Sequence, residues 1–334
     1  MGQPNNVMNA ETKMAELTTL THEELTLPVK LAVWAMRVLP RFVSPDDTAH
    51  AAFFEAAHLD KMTQEQIHAA MHEAAHDRRV AEEKTPFLEP FFSRSIGEYF
   101  KGKEVLDFGC ALGGTALAWE AMYGAKKISG FDVSPYFIEG AQRYAKQMGS
   151  TADFRQGFGE RTPFPDGAFD TVVAIDVLEH VYNVEDCLKE CWRILKPNGH
   201  LIAVFPPFYH PFEHHIKVSR TPFLHWVFSG ETIRKALNYI LDERGPDYSH
   251  FKADPNPNYR IPDLNGITCR AAWKAIKQKD WRVVRNEFPG VPRVGRRAQT
   301  KAMRALSAFN SIFARVPVLE EVFLDRVAVV LQRR

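Results

Sequence analysis

From about Phe91 the chain alternates short apolar runs with amphipathic stretches, and this alternation predicts its elements in order. A helix over 94–101 leads into a strand over 104–108, and a helix over 112–123 into a strand over 128–132. Pro135, at a helix start, opens a helix over 136–148, and a short strand follows near 152–156. Asp166-Gly167 makes a turn before a strand over 170–175. A helix over 184–195 stops at Lys196-Pro197-Asn198-Gly199, with the glycine as its cap, and a strand over 200–205 follows. Strand–helix alternation with short connections argues a parallel sheet covered on both faces. Strands return only late, at Trp281–Phe288 and Phe323–Leu331. The stretch 206–280 is therefore an insertion over the carboxyl edge of the sheet, where open α/β folds bind ligands.

Residues 1–25 are polar and read as a flexible tail. Pro28–Val43 carries a helical apolar stripe flanked by Lys30, Arg37 and Arg41, and Ala49–Glu82 reads as one or two helices. Residues 26–90 are thus expected to form a helical region over the main domain, 91–334, acting as a lid, a dimer contact or a membrane-facing foot. Within the insertion, Thr221–Leu241 reads as a lid helix or helix pair, and 246–263 as a long Pro-rich link.

Composition narrows the function classes. A chain of 334 residues buries a substantial core, and a formal net charge of +1 gives no global pull toward nucleic acid or membrane. No nucleic-acid-binding module is apparent, so no nucleic-acid partner is expected. Cys110, Cys187, Cys191 and Cys269 show neither zinc-type pairing nor a disulfide framework, which makes a reduced, cytoplasmic setting the expectation. The first thirty residues lack a signal-peptide pattern, and no apolar run reaches the roughly 20 residues that span a bilayer. One basic stretch, Arg293 to Arg315, has no acid within it and carries Met303, Leu306, Phe309 and Ile312 at helical spacing. It is either a packed helix with its basic face in water or a surface for anionic lipid headgroups, assisted by Pro28–Val43.

The densest chemistry lies at two strand tips. The run Glu104 to Gly114 is an apolar strand that ends in Asp107 and turns through small residues into a helix, and the next strand ends in Asp132. Gly109, Ala111, Gly113 and Gly114 let backbone approach a ligand closely, although a tight strand–helix turn alone would also use them. Gly109-x-Ala111-x-x-Gly114 half-fits a dinucleotide fingerprint. Against that ligand, Ala111 stands at the middle glycine, and Asp107 would sit near a doubly charged pyrophosphate. A ligand with an ammonium group and a ribose suits the two acids better: Asp107 takes the amine by a charge-assisted hydrogen bond, and Asp132 takes the ribose hydroxyls. Asp132 serves either ligand, so Asp107 discriminates.

Here the sequence resembles the class I S-adenosylmethionine-dependent methyltransferases, across about residues 91–205 and more weakly beyond. VLDFGCALGG is similar to the family's first motif, GFDVSP to its second-strand motif, and PFPDGAFDTVVAIDVLEHV and ILKPNGHLIAVFPP to its fourth- and fifth-strand segments. The resemblance implies an α/β fold: a Rossmann-like, seven-stranded, mostly parallel sheet with helices on both faces, a helical N-terminal region and a helical lid insertion after the fifth strand. It implies S-adenosyl-L-methionine as cofactor, with Asp107, Gly109, Cys110, Ala111 and Gly113 on the methionine side, Asp132 and Val133 at the ribose, and Asp176 beneath the sulfonium. Many relatives carry an acid for the adenine amino group after the third strand; Phe158 stands there, so Phe158 packing and the Gly159 backbone are expected to hold the ring.

Methyl transfer from a sulfonium is an in-line displacement, and a hydroxyl acceptor also needs its proton removed by a base or by a metal that lowers its pKa. Two clusters at strand ends offer this. One is Asp176-x-x-Glu179-His180, the other Tyr209-His210-Pro211-Phe212-Glu213-His214-His215. One of His210, His214 and His215 is the expected base, with Glu179 and His180 organising the floor; Tyr209 and Tyr182 are fallbacks. The first cluster also resembles the metal site of ubiquinone-pathway O-methyltransferases, which implies a divalent metal on Asp176, Glu179, His180 and His214. In many family members the same Glu-His pair only fixes a loop. Aromatics through the insertion, among them Phe208, Phe223 and Trp226, with Asp263, Asn265 and Arg270 between them, fit a flat, apolar or sugar-like small molecule. The function expected is methylation of a hydroxyl oxygen of such an acceptor, against N-, S- or C-methylation or a non-catalytic cofactor-binding module. Peripheral membrane contact and a homodimer are both left open.

Overall fold

The computed structural model describes residues 25–38, 62–211, 215–216, 219, 221–245, 252–253, 255–287, 312–313, 315–316 and 319–334. Its centre is a seven-stranded sheet built from β1 (Glu104–Phe108), β2 (Lys127–Asp132), β3 (Asp153–Gln156), β4 (Phe169–Ile175), β5 (Leu195–Phe205), β6 (Trp281–Glu287) and β7 (Val327–Arg333). The spatial order is β3-β2-β1-β4-β5-β7-β6. Strands β1 to β5 pair in parallel, and β7 lies antiparallel between β5 and β6. The chain winds one way from β1 to β3 and the other way from β4 onward. The carboxyl ends of β1 and β4 therefore flank the crevice that such a reversal opens.

The helices are α1 (Leu27–Val38), α2 (Gln64–Lys84), α3 (Gly114–Tyr123), α4 (Pro135–Gln147), α5 (Val184–Ile194), α6 (Leu224–Val227), α7 (Gly230–Arg244), α8 (Cys269–Ile276) and α9 (Glu320–Phe323). Central strands are apolar on both faces because both are covered. Val105, Val173 and Ile202 point into a core shared with α2, α3 and α4, while Leu106, Val172 and Leu201 point into one shared with α5 and α8. A third core joins Val29, Val33 and Met36 of α1 to Phe208, Ile233 and Leu237 of the insertion. The two N-terminal helices thus have different jobs: α1 packs on the insertion and α2 on the sheet domain. The outer face of α1 exposes Leu27, Leu31, Trp34 and Val38.

Two local expectations are corrected. The segment expected as a helix over 94–101 contains only a 3-10 turn, Gly97–Tyr99. Ile96 and Phe100 are buried with helical spacing, but Gly97 between them favours no longer helix. After α5, Asn198 rather than Gly199 takes the left-handed conformation, with φ +64°. Gly199 is required for room instead, since a Cβ there would lie 2.9 Å from the Lys196 carbonyl oxygen. Most of the basic stretch 293–315, residues 39–61, and residues 246–251 and 254 of the Pro-rich link lie outside the described residues. All four cysteines are buried and free. No helix among the described residues is long and apolar enough to cross a membrane.

Candidate active site

Strand β1 delivers Asp107 to the crevice, and the chain then turns sharply under it. Gly109 (φ +82°) and Gly113 (φ +74°) both adopt the left-handed region. Neither has room for a side chain: a Cβ would meet Val177 at 2.6 Å from Gly109 and Phe154 at 2.7 Å from Gly113. Ala111 holds φ +44°, an uncommon conformation for a residue with a Cβ. Its N–H donates to Asp132 Oδ2 at 3.1 Å, and the Ser134 N–H donates to Oδ1 at 3.0 Å, which fixes the second carboxylate. Free lone pairs on both oxygens still allow Asp132 to accept from vicinal hydroxyls. Cys110 is buried below the turn, where burial pushes its thiol well above the ordinary range.

Asp107 is only 6% exposed. Burial pushes its carboxyl up to about 7, against the pull of the Arg78 charge, with Asp132 and Glu82 adding to the rise. A buried acid of this kind gains most from a ligand that brings its own positive charge. It opens into a cavity of about 960 Å³ bounded by the β1 turn, by Ile175 and Asp176 at the end of β4, and by α2. Beyond Asp132 the surface is open: Val133 and Phe158 are exposed, and Gln156 donates to the Val133 carbonyl at 3.1 Å. Gly159 packs inward, with a virtual Cβ 2.9 Å from Cys187 Sγ.

Asp176, which lines the cavity, begins a loop assembled from distant segments. Asp176 holds φ +48°, and its Oδ1 accepts from Arg326 Nε at 3.0 Å. Glu179 is buried, His180 Nε2 lies 3.8 Å from its Oε1, and the His180 and His215 rings are 5.1 Å apart. One ligand atom from each of Glu179, His180 and His215 lies within 4.8 Å of the others. His180 Nδ1 is 2.7 Å from the Asp263 carbonyl, which can only accept, so the proton is assigned to Nδ1 and the Nε2 lone pair faces Glu179 and His215. Burial, then the charge of His215, keeps His180 below the ordinary imidazole range. Such an imidazole is neutral near pH 7 and able to take a proton. A carboxylate with two imidazoles is also a donor set that suits a divalent ion.

The insertion pins this loop. Asn265 Nδ2 donates to the Leu178 and Val181 carbonyls, both at 2.8 Å, and the Tyr259 hydroxyl donates to the His180 carbonyl at 2.9 Å. Of the residues expected for metal, the structure brings Glu179 and His180 together and adds His215; Asp176 is engaged by Arg326, and His214 lies outside the described residues. His210 sits in the 207–211 turn, its backbone N–H donating to the Pro207 carbonyl at 3.0 Å. Sequence reasoning missed Arg326, Tyr259 and the cavity face of α2. No local pattern marks them.

Residues 106–203 match a family model described as a methyltransferase domain. The chain is 34% identical over 125 residues to a sterol 24-C-methyltransferase of Gibberella zeae, covering 37% of this chain and 31% of that protein. It is 34% identical over 106 residues to norajmaline N-methyltransferase of Rauvolfia serpentina, covering 31% of this chain and 36% of that one. Over 105 residues it is 36% identical to a ubiquinone biosynthesis O-methyltransferase of Maricaulis maris, covering 31% and 41%. The chain thus spans between 31% and 41% of the length of these curated relatives.

Proposed function

We propose that this chain, whose segment from β1 to β5 is a class I S-adenosylmethionine-dependent methyltransferase domain, moves the donor's methyl group to an oxygen of a small-molecule acceptor. One observation carries the reading: a buried, charge-starved Asp107 opens into a cavity whose far end reaches Asp176, the start of the loop that bears Glu179 and His180. Asp107 binds the donor's ammonium group and Asp132 its ribose, while Val133, Phe158 and the Gly159 backbone flank the adenine. Gly109, Ala111 and Gly113 keep the backbone close. Residues 91–334 carry the sheet and, in 206–280, the acceptor side, and α2 from the N-terminal region completes the catalytic unit.

In the reaction the acceptor oxygen attacks the methyl carbon opposite sulfur, the carbon–sulfur bond breaks, and its electron pair stays on sulfur. His180 Nε2 takes the hydroxyl proton, with the Asp263 carbonyl holding the ring's tautomer and Glu179 stabilising the imidazolium. His215 stands beside it as the second imidazole, and His210 and His214 remain on the same connection as further acceptor contacts. Glu179, His180 and His215 would also fit a divalent ion, but such an ion would occupy the His180 Nε2 lone pair and so act in place of that base, by lowering the acceptor hydroxyl's pKa. The exposed outer face of α1 supports a lipid-like acceptor reached by peripheral contact with a membrane, and the same face is the surface a homodimer would use.

The relatives include C- and N-methyltransferases, so the acceptor atom is the point to test. Radiolabelled methyl transfer to a panel of phenols, quinols, amines and sterols identifies it. An oxygen acceptor requires turnover to collapse in His180→Ala while donor affinity is unchanged. Full turnover on an amine in that variant would replace this reading with N-methylation.

A further inference from the structure

One wall of the donor cavity comes from outside the strand–turn motifs. Helix α2 lines it with Ala74, Asp77, Arg78, Ala81 and Lys84. That helix is built in rather than hinged. A Cβ at Gly114 would lie 2.2 Å from the Ala75 carbonyl oxygen, so α2 and the start of α3 touch backbone to backbone. Met71 and Ala75 are buried, and the buried Glu82 accepts from the Phe87 N–H at 3.1 Å and from Trp119 Nε1 at 3.2 Å. The capping box at Thr63 and Gln66 fixes the helix start.

On this fixed wall Arg78 has no direct carboxylate partner, although its charge also reaches the buried Glu82 and its guanidinium lies 6.0 Å from the Phe87 ring centre. Among the described residues its guanidinium makes one hydrogen bond, Nε to Thr115 Oγ1 at 3.1 Å, and no ion pair. Its charge nonetheless acts on Asp107. The cavity thus presents both a carboxylate, Asp107, and a guanidinium, Arg78, close enough to interact electrostatically. A cation-binding site alone would gain nothing from the arginine. An amino-acid zwitterion uses both, since guanidinium matches carboxylate in geometry and charge.

We propose that Arg78 binds the α-carboxylate of the donor while Asp107 takes its ammonium, so that α2 reads the amino-acid arm. This rests on S-adenosylmethionine being the donor. Thr115 holds the guanidinium in place through Nε, and the terminal nitrogens face the ligand. The site selects a nucleoside with an intact amino-acid arm over one without it.

Calorimetry on the full chain tests this, with S-adenosylhomocysteine and with 5′-methylthioadenosine, which lacks the amino-acid arm. Arg78→Leu is expected to weaken S-adenosylhomocysteine about ten- to a hundredfold, the size of a hydrogen bond to a charged group. Methylthioadenosine affinity stays within about twofold, and Arg78→Lys recovers part of the loss. Equal losses for both ligands would mean that Arg78 only supports the wall, and no loss for either would overturn the assignment outright. If the unaltered chain binds methylthioadenosine as tightly as S-adenosylhomocysteine, the arm is not read and the proposal fails while the donor reading stands. If it binds neither nucleoside, the donor reading falls as well.

Discussion

The proposed donor and acceptor sites are built in opposite ways. At the donor end Asp107 and Asp132 lie on adjacent strand tips, and backbone N–H groups of Ala111 and Ser134 hold the second acid. At the acceptor end His180 is set by a carbonyl 83 residues away and Asp176 by an arginine 150 residues away. The two acids of the first site and their backbone clamps are encoded locally, while the cavity wall beside Asp107 is added by α2. The second exists only when the insertion and β7 have docked, which gives acceptor choice its own route of change.

The comparison is broken most severely at the acceptor end. His180→Ala is expected to lower kcat by about a hundred- to ten-thousandfold, as loss of a general base does, with donor Kd within about twofold. Steady-state kinetics with parallel calorimetry checks both halves. Equal damage to donor binding would mean that the two ends are not separable.

At the donor end, Asp107→Asn should weaken the donor about ten- to a hundredfold, read by calorimetry. The same change should stabilise the ligand-free protein above pH 7. A carboxyl held near 7 when folded, against an ordinary 3.8, makes a stability contribution that is lost as pH rises between those values. The gap corresponds to up to about 4 kcal/mol, read as a higher Tm of the variant at pH 8 than at pH 5 relative to the unaltered chain.

Gly114→Ala drives a Cβ into the Ala75 carbonyl and should cost about 1–3 kcal/mol in urea unfolding. It should also weaken the donor, because Gly114 lines the cavity and the shift displaces the α2 wall. The pH dependence sharpens the comparison further. Binding an ammonium requires ionised Asp107, so donor affinity should fall about tenfold per pH unit below about 7 and level off above it. Asp107→Asn should abolish that slope. The smallest effect is at the open adenosine shelf, where Phe158→Ala should weaken the donor about two- to tenfold.

What was legible follows the same division. The acids at both strand tips, the small-residue turn and the parallel sheet are written in contiguous residues, and β1, β2 and β4 fall close to where the apolar runs end. Glu179 and His180 were visible as a local pair. Their environment was not: the Asp263 carbonyl, Asn265 and Tyr259 act on that loop from the insertion, and nothing in their local sequence marks the contact. Arg326 immediately precedes β7, and only strand order brings it beside Asp176. Helix α2 was seen as a helix, but its Ala- and His-rich sequence gives no sign of which face meets a ligand.

The backbone contact between Gly114 and Ala75 sets where this enzyme could be cut. The stretch matched by the methyltransferase-domain model begins at Leu106, downstream of the helix that lines one wall of the cavity. A fragment trimmed to that matched stretch would keep both acids and present them on an open trough. Donor retention is therefore expected to respond to substitutions in α2 even with every residue of the strand-tip motifs left in place.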